Sequence, residues 1–296
     1  MSAPDSDLVF RDADPSEDDE LARIMYNAFL PIWNHNWFQC LTSPLDPIAS
    51  TTTPLTPLQT RRLAFYRSWF ALVRIHKGAV NLAYTPSTTN PAPSSTAPDP
   101  PLFTTSPSNA IAAVVLLLPP HARPSWSEPL IGWRSGLLHA LFGLGLRGIW
   151  RVAVTFEGNV ERMISEGLKA RNVAGGHQGN LVMCHGCVRN PQWQGKAPAR
   201  RLFDWAIRRW WTREREAGRA PTPVWLDTSI DEGVRAYEEI GFEILGECAV
   251  DTGADVNGIK LEPEPTEEDK DKARKRSRQW VMLRLPPEEG KNDEAK

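Results

Sequence analysis

The run IAAVVLLL at residues 111–118, closed by two prolines, is apolar at every position. A strand with one wet face alternates apolar and polar residues, so an unbroken apolar run ended by prolines reads as a strand covered on both sides. With the order of the other elements, that strand predicts an α/β (α+β) fold, a mixed sheet with helices on both faces. The rest of the chain supplies the other elements. Short strands are predicted at 8–11, 79–85, 180–188, 223–228, 242–250 and 279–285. Helical spacing is found at 57–76, 133–171, 199–217 and 231–240, and again through Leu21, Ile24, Met25 and Ala28 behind a capping box of Ser16 and Asp19. Gly143, Gly145 and Gly148 interrupt the second of these stretches.

At 296 residues the chain has the length of two domains, or of one carrying insertions. Residues 85–109 hold seven prolines and eleven Ser/Thr, and residues 251–277 hold eight acids and six bases with almost no large apolar side chain. Neither stretch offers enough apolar surface to offset the entropy of ordering it, so both are expected to be disordered insertions. A shorter stretch of the same kind, 41–57, joins two helices, and 287–296 is a short tail. What remains makes one domain over 1–296, with the informative core at 179–250.

The net charge of −2 gives no reason to expect nucleic acid as a partner. Eight acids against one arginine in the first twenty residues are the opposite of a targeting peptide. The greasiest run, 136–150, carries His139 and Arg147 and is too short to span a bilayer. It fits a core helix, a wall of an acyl pocket or a segment touching a membrane surface. Four scattered cysteines suit a reducing compartment, and a cytoplasmic location is expected.

The stretch 181–205 reads as strand, polar turn and helix. Its turn, Gln194 to Ala199, places small residues at a helix N-terminus, where first-turn amides lack partners and the helix dipole favours an anion. Lys196, Arg200 and Arg201 add positive charge. A second strand, turn and helix follow at 224–247. The pattern Pro191-x-Trp193-Gln194-Gly195-Lys196-Ala197-x-Ala199-x-x-Leu202, then Leu226-Asp227-x-Ser229-x-x-x-Gly233-x-x-x-Tyr237-x-x-x-Gly241-Phe242, resembles the GNAT superfamily of acyl-CoA N-acyltransferases. The flanking elements are most similar to its fungal-type branch.

The resemblance implies acetyl-CoA, or another acyl-CoA, as co-substrate and no metal. It implies that Cys187 and Val188 end the strand that pairs with the pantetheine arm, and that Gln194, Gly195, Lys196, Ala197, Ala199 and Arg200 form the pyrophosphate turn. Ser229 and Tyr237 correspond to the second motif, Tyr237 as the acid for the departing thiolate. The pattern departs from the family at Ala197, where glycine is preferred, and at Pro198, which has no amide hydrogen. An alternative therefore stands beside the enzyme: a GNAT-fold module that senses CoA or binds a protein without transfer.

Acyl transfer to an amine also needs a base. His185 on the motif strand and Asp227 near the end of its strand are the candidates. Ser229 with Glu232 also makes a capping box. Cys184 and Cys187 have no second ligand pair and, on a regular strand, point to opposite faces, so no metal site is expected. Trp33, Trp37, Trp69, Trp126 and Trp133 fall in the region that would wall the acceptor, which points to a small amine of apolar or aromatic character.

Overall fold

The computed structural model describes residues 8–86, 111–123, 129–173, 177–193, 197–260 and 266–287. Strand β3 (Ile111–Leu118) is buried at every position, as a strand between two helix layers must be. It pairs antiparallel with β2 (Ala79–Tyr84) on one side and with β4 (Val182–Arg189) on the other. With β1 (Val9–Asp12), β5 (Val224–Thr228), β6 (Glu243–Ala249) and β7 (Arg278–Arg284), the sheet has the order β1-β2-β3-β4-β5-β7-β6. β4 and β5 are its one parallel pair among the described residues; every other pair is antiparallel. The mixed α/β architecture expected from the order of the elements is the one observed.

Strand alternation divides the core into two layers. Val281 and Leu283 of β7 face the helices α1 (Asp18–Ala28), α2 (Trp33–Phe38), α3 (Pro57–Ile75) and α7 (Glu157–Ala170), whereas Trp280 and Met282 face α8 (Pro198–Glu216) and α9 (Asp231–Glu238). α3 starts on a capping box of Thr56 and Gln59 with Pro57 at its first turn. The box expected at Ser16 and Asp19 lies elsewhere. Asp14 accepts from the Ser16 amide and pairs with Glu17 around a short 3-10 turn, and the Ser16 hydroxyl is itself bound to Asp14.

The helical stretch 133–171 is broken where Gly136 and Gly145 adopt φ of +78° and +70°, values that glycine alone reaches freely. It becomes α4 (Pro129–Arg134), α5 (Leu137–Phe142) and α6 (Gly145–Trp150), which runs through a π-helical turn into α7. The insertion 85–109 lies outside the described residues from 87 on, as does the tail from 288. Residues 251–260 and 266–277 differ from the expectation of disorder. Glu267–Arg276 form α10, capped by Thr266 and Asp269, with Lys272–Glu268 and Lys275–Asp271 pairs at 2.7 and 2.8 Å along it. Upstream of α10 the chain lies over α2, where the Trp37 indole donates to the Thr252 carbonyl and the Asn36 amide to the Asn257 carbonyl. Mixed charge at i,i+4 spacing and backbone acceptors for α2 organise this stretch, neither of which low apolar content reveals.

Among the described residues no helix is long and apolar enough to cross a membrane. The helices over β4 are tied together by Arg62, fully buried on α3. It donates to the Asn36 side chain of α2 and to the Phe29 carbonyl at the end of α1, both at 2.6 Å, with its guanidinium over the Tyr26 ring. Replacing it leaves two buried acceptors without a charged donor. Arg62→Met is expected to lower unfolding stability by about 2–4 kcal/mol, read as a reduced urea midpoint. An unchanged midpoint would show that this guanidinium does not hold the layer.

Candidate active site

The parallel pairing of β4 with β5 is confined to Val182 with Val224 and Met183 with Trp225. Beyond it, β4 stays on β3 as far as Arg189, while β5 stays on β7 to Thr228 with Trp280. Two central strands thus diverge, and their facing backbone groups have no partner in each other. Residues 182–184 of β4 are buried and residues 185–187 are only partly so, which marks where the gap opens. Backbone edges of this kind accept an extended chain that carries amides.

A bulge reshapes β4 at the same point. Leu116 pairs with Gly186 and Leu117 with Cys184, so His185 has no partner on β3. His185 turns to the α3 side, where its ring lies 4.4 Å from that of Trp69, and a side chain at Gly186 would meet Met25 and the same Trp69. Cys184 and Cys187 then both belong to the α8 side. Opposite faces, the expectation for a regular strand, is corrected by the extra residue. Burial pushes both thiols up, Cys187 to about 12, so both stay protonated.

The face toward α3 and α7 carries the titrating groups. Asp227 follows Trp225 by two positions on β5 and so shares its face. Burial, and then the nearby Glu157 carboxylate, push its carboxyl up to about 7, while Arg123 pulls in the other direction. Arg123 sits over the Trp225 ring and is ion-paired with Glu157. Burial and the same arginine push His185 down to about 3, and its Nε2 is buried without a hydrogen-bond partner among the described residues. Near neutral pH the imidazole is uncharged, whereas Asp227 is balanced between acid and base.

The face toward α8 carries Tyr237. Its ring packs edge-on against Phe203 and beside Phe242, and its hydroxyl lies near the Cys187 thiol. Burial, with the neighbouring thiols, raises the phenol well above its ordinary value, so it keeps its proton. His185 and Asp227 therefore lie on one side of the divergent strands and Tyr237 on the other.

The remaining expected residues are distributed as follows. Gln194, Gly195 and Lys196 lie outside the described residues. Ala197 precedes α8 with φ +42°, the left-handed conformation that glycine takes without strain, and Pro198 is the first helical residue. Ala199 accepts from the Cys187 thiol through its carbonyl, and Arg200 is ion-paired with Glu239. Val188 is buried opposite Val114. Ser229 does not cap α9: the residue at that position is Ile230, and the Ser229 hydroxyl is buried without a partner. Its carbonyl instead accepts from the Trp33 indole. Of the tryptophans expected near the acceptor, Trp33 and Trp69 reach the site. Trp37 is buried against the Thr252 loop, Trp133 is exposed on α4, and Trp126 lies outside the described residues. No local sequence motif marks Arg123 or Glu157.

The single parallel pair, its divergence and the helix entered from β4 are the arrangement that the resemblance to the GNAT superfamily implied. No family model matches the chain, and no curated protein matches it in sequence. Several solved structures are similar to it. Arylalkylamine N-acetyltransferase 2 from Aedes aegypti is 12% identical, with a TM-score of 0.49 over 94% of this chain and 98% of that one. The Drosophila melanogaster polyamine N-acetyltransferase, an enzyme that forms N-acetylagmatine, is 14% identical, with a TM-score of 0.43 over 94% and 99%. An agmatine N-acetyltransferase mutant in its apo form is 15% identical, with a TM-score of 0.41 over 94% and 98%.

The buried Asp227 makes stability depend on pH. Its folded value of about 7 exceeds the ordinary 3.8, so its contribution is fully present below about 3.8 and is lost as pH rises toward 7. Asp227→Asn removes that loss. The variant is expected to gain stability over the natural protein above pH 7, and the gain should shrink to nothing at about pH 4. Urea midpoints across this range test it; a gain that does not vary with pH would mean that Asp227 is not the titrating group.

Proposed function

We propose that the chain is an acyl-CoA-dependent N-acyltransferase, which moves an acetyl or short acyl group to a small primary amine in a ternary complex. The observation that carries this reading is the pair of diverging strands with a titrating carboxyl on one face and a protonated phenol on the other. The unpaired backbone of β4 suits the amides of a pantetheine arm, and the first-turn amides of α8 suit a phosphate. Bound acyl-CoA would supply the thioester carbon that the amine attacks.

The protein's part is to handle two protons. Asp227, ionised above about pH 7, accepts the proton that the amine gives up. His185 at about 3 has too little proton affinity for that task and orients the acceptor with Trp69. Tyr237 holds its proton on the far side, ready for the sulfur that departs as the C–S bond breaks and the C–N bond forms. The aromatic rings beside the gap favour an acceptor with an apolar body.

A second reading, a CoA-sensing module without transfer, is favoured by one observation. Ala197 places a methyl group, in a left-handed conformation, where the family prefers glycine, and Pro198 brings no amide hydrogen to the first turn. Such a module would bind acyl-CoA and release no thiol with any amine.

The enzyme reading has a kinetic signature. Tyr237→Phe is expected to lower kcat by about a hundredfold with little change in KM for acetyl-CoA. In the natural protein kcat/KM for the amine should rise with pH through about 7 and level off above it, as the carboxyl of Asp227 ionises. Asp227→Asn should lose most of the rate together with that rise. Full turnover in Tyr237→Phe, or an unaltered pH profile in Asp227→Asn, would remove the residue concerned from its role.

A further inference from the structure

The segment from α4 to the π-helical turn has no part in the site. Nine large apolar side chains are exposed among the described residues, and six of them are Leu130, Trp133, Phe142, Leu146, Trp150 and Val154. They are 48–87% exposed, too much for the rim of a core. Leu146, Trp150 and Val154 follow one another at intervals of four, a stripe along one side of a continuous helix. α4 packs on α5 and α5 on α6, so the stripe and the exposed residues of α4 and α5 lie on adjoining helices.

The charge of this surface has one sign. Residues 129–156 contain three arginines and one histidine and not a single acid, in a chain whose overall charge is −2. Arg151 is turned inward, donating to the Trp37 carbonyl and lying over the Trp37 ring. Arg134, Arg147 and His139 are exposed, and α3 adds Arg61 beside them. Arg61, His139 and Phe142 line a cavity of about 560 Å³ between α3 and α5, away from the divergent strands. Exposed Trp, Phe and Leu interleaved with arginines, on helices too short to span a bilayer, are the composition of a helix that lies in a membrane interface. The absence of acids in this segment favours an anionic leaflet over a neutral one.

We propose that the face formed by α4, α5 and α6 docks the protein on an anionic lipid surface. The aromatic and leucine side chains enter the headgroup region while Arg134 and Arg147 meet lipid phosphate and carboxylate. The face lies on the membrane and leaves the divergent strands free. It is independent of the transfer activity, since it shares no residue with the gap.

The test uses the full chain with sedimenting vesicles of phosphatidylcholine, pure or containing roughly a quarter phosphatidylserine. The chain should sediment with the mixed vesicles, far less with the pure ones, and less as salt is raised. Leu146→Glu/Trp150→Glu and Arg134→Glu/Arg147→Glu should each weaken binding by at least about tenfold. All four side chains are exposed, so melting temperatures should be unchanged. Leu146→Ser/Trp150→Ser serves in place of the first pair if its melting temperature falls. No vesicle binding, or equal binding to both compositions, overturns the proposal. So does light scattering that finds a dimer abolished by the Leu146 and Trp150 changes without any vesicle binding, which would make this face a contact between copies.

Discussion

The rest of the site depends on how little of β4 is held by β5. Two paired positions hold the strands together at one end, and each strand is then drawn toward its other neighbour, β3 or β7. A sheet that closed at this point would bury a continuous ladder. This one leaves backbone donors and acceptors in the middle of the protein, a cost that an extended amide-bearing ligand can offset. The bulge at His185 belongs to the same device. By adding a residue to β4, it turns His185 and Gly186 toward α1 and α3 and returns Cys187 to the α8 side.

The divergence also sets the electrostatics. Asp227 lies beyond the paired region, close enough to the core to be desolvated but within the field of the Arg123–Glu157 pair. Burial raises its carboxyl most, the Glu157 carboxylate adds to that and Arg123 opposes it, which leaves the group at about 7. Tyr237 has the opposite surroundings, two aromatic rings and two protonated thiols, which hold the proton in place. One sheet thus separates a carboxyl that titrates near neutrality from a phenol that keeps its proton.

Much of this was legible in the amino-acid sequence where the signal is local. The unbroken run of β3 specified a sheet covered on both faces, and the strand–turn–helix patterns at 181–205 and 224–247 marked the two strands that diverge. Features that depend on distant partners were not legible. α2, whose buried Asn36 and Trp37 bond to the loop after β6, has no amphipathic pattern of its own to announce it. A period of two cannot register a bulge, so Cys184 and Cys187 read as opposed. The poise of Asp227 depends on Arg123 and Glu157, which meet it only in the folded chain. Ser229 and Glu232 had the spacing of a capping box, but the Ser229 carbonyl is held by Trp33 and the helix starts after Ile230.

In the proposed function, the opening between β4 and β5, with the turn that follows β4, receives acyl-CoA. Isothermal titration of the natural protein and of Gly195→Asp with acetyl-CoA tests this. One-to-one binding to the natural protein is expected, with its loss in the variant, where a carboxylate and its bulk would meet the pyrophosphate, at an unchanged melting temperature. Absence of binding by acetyl-CoA and longer acyl-CoAs alike, or equal affinity in the two proteins, would contradict it.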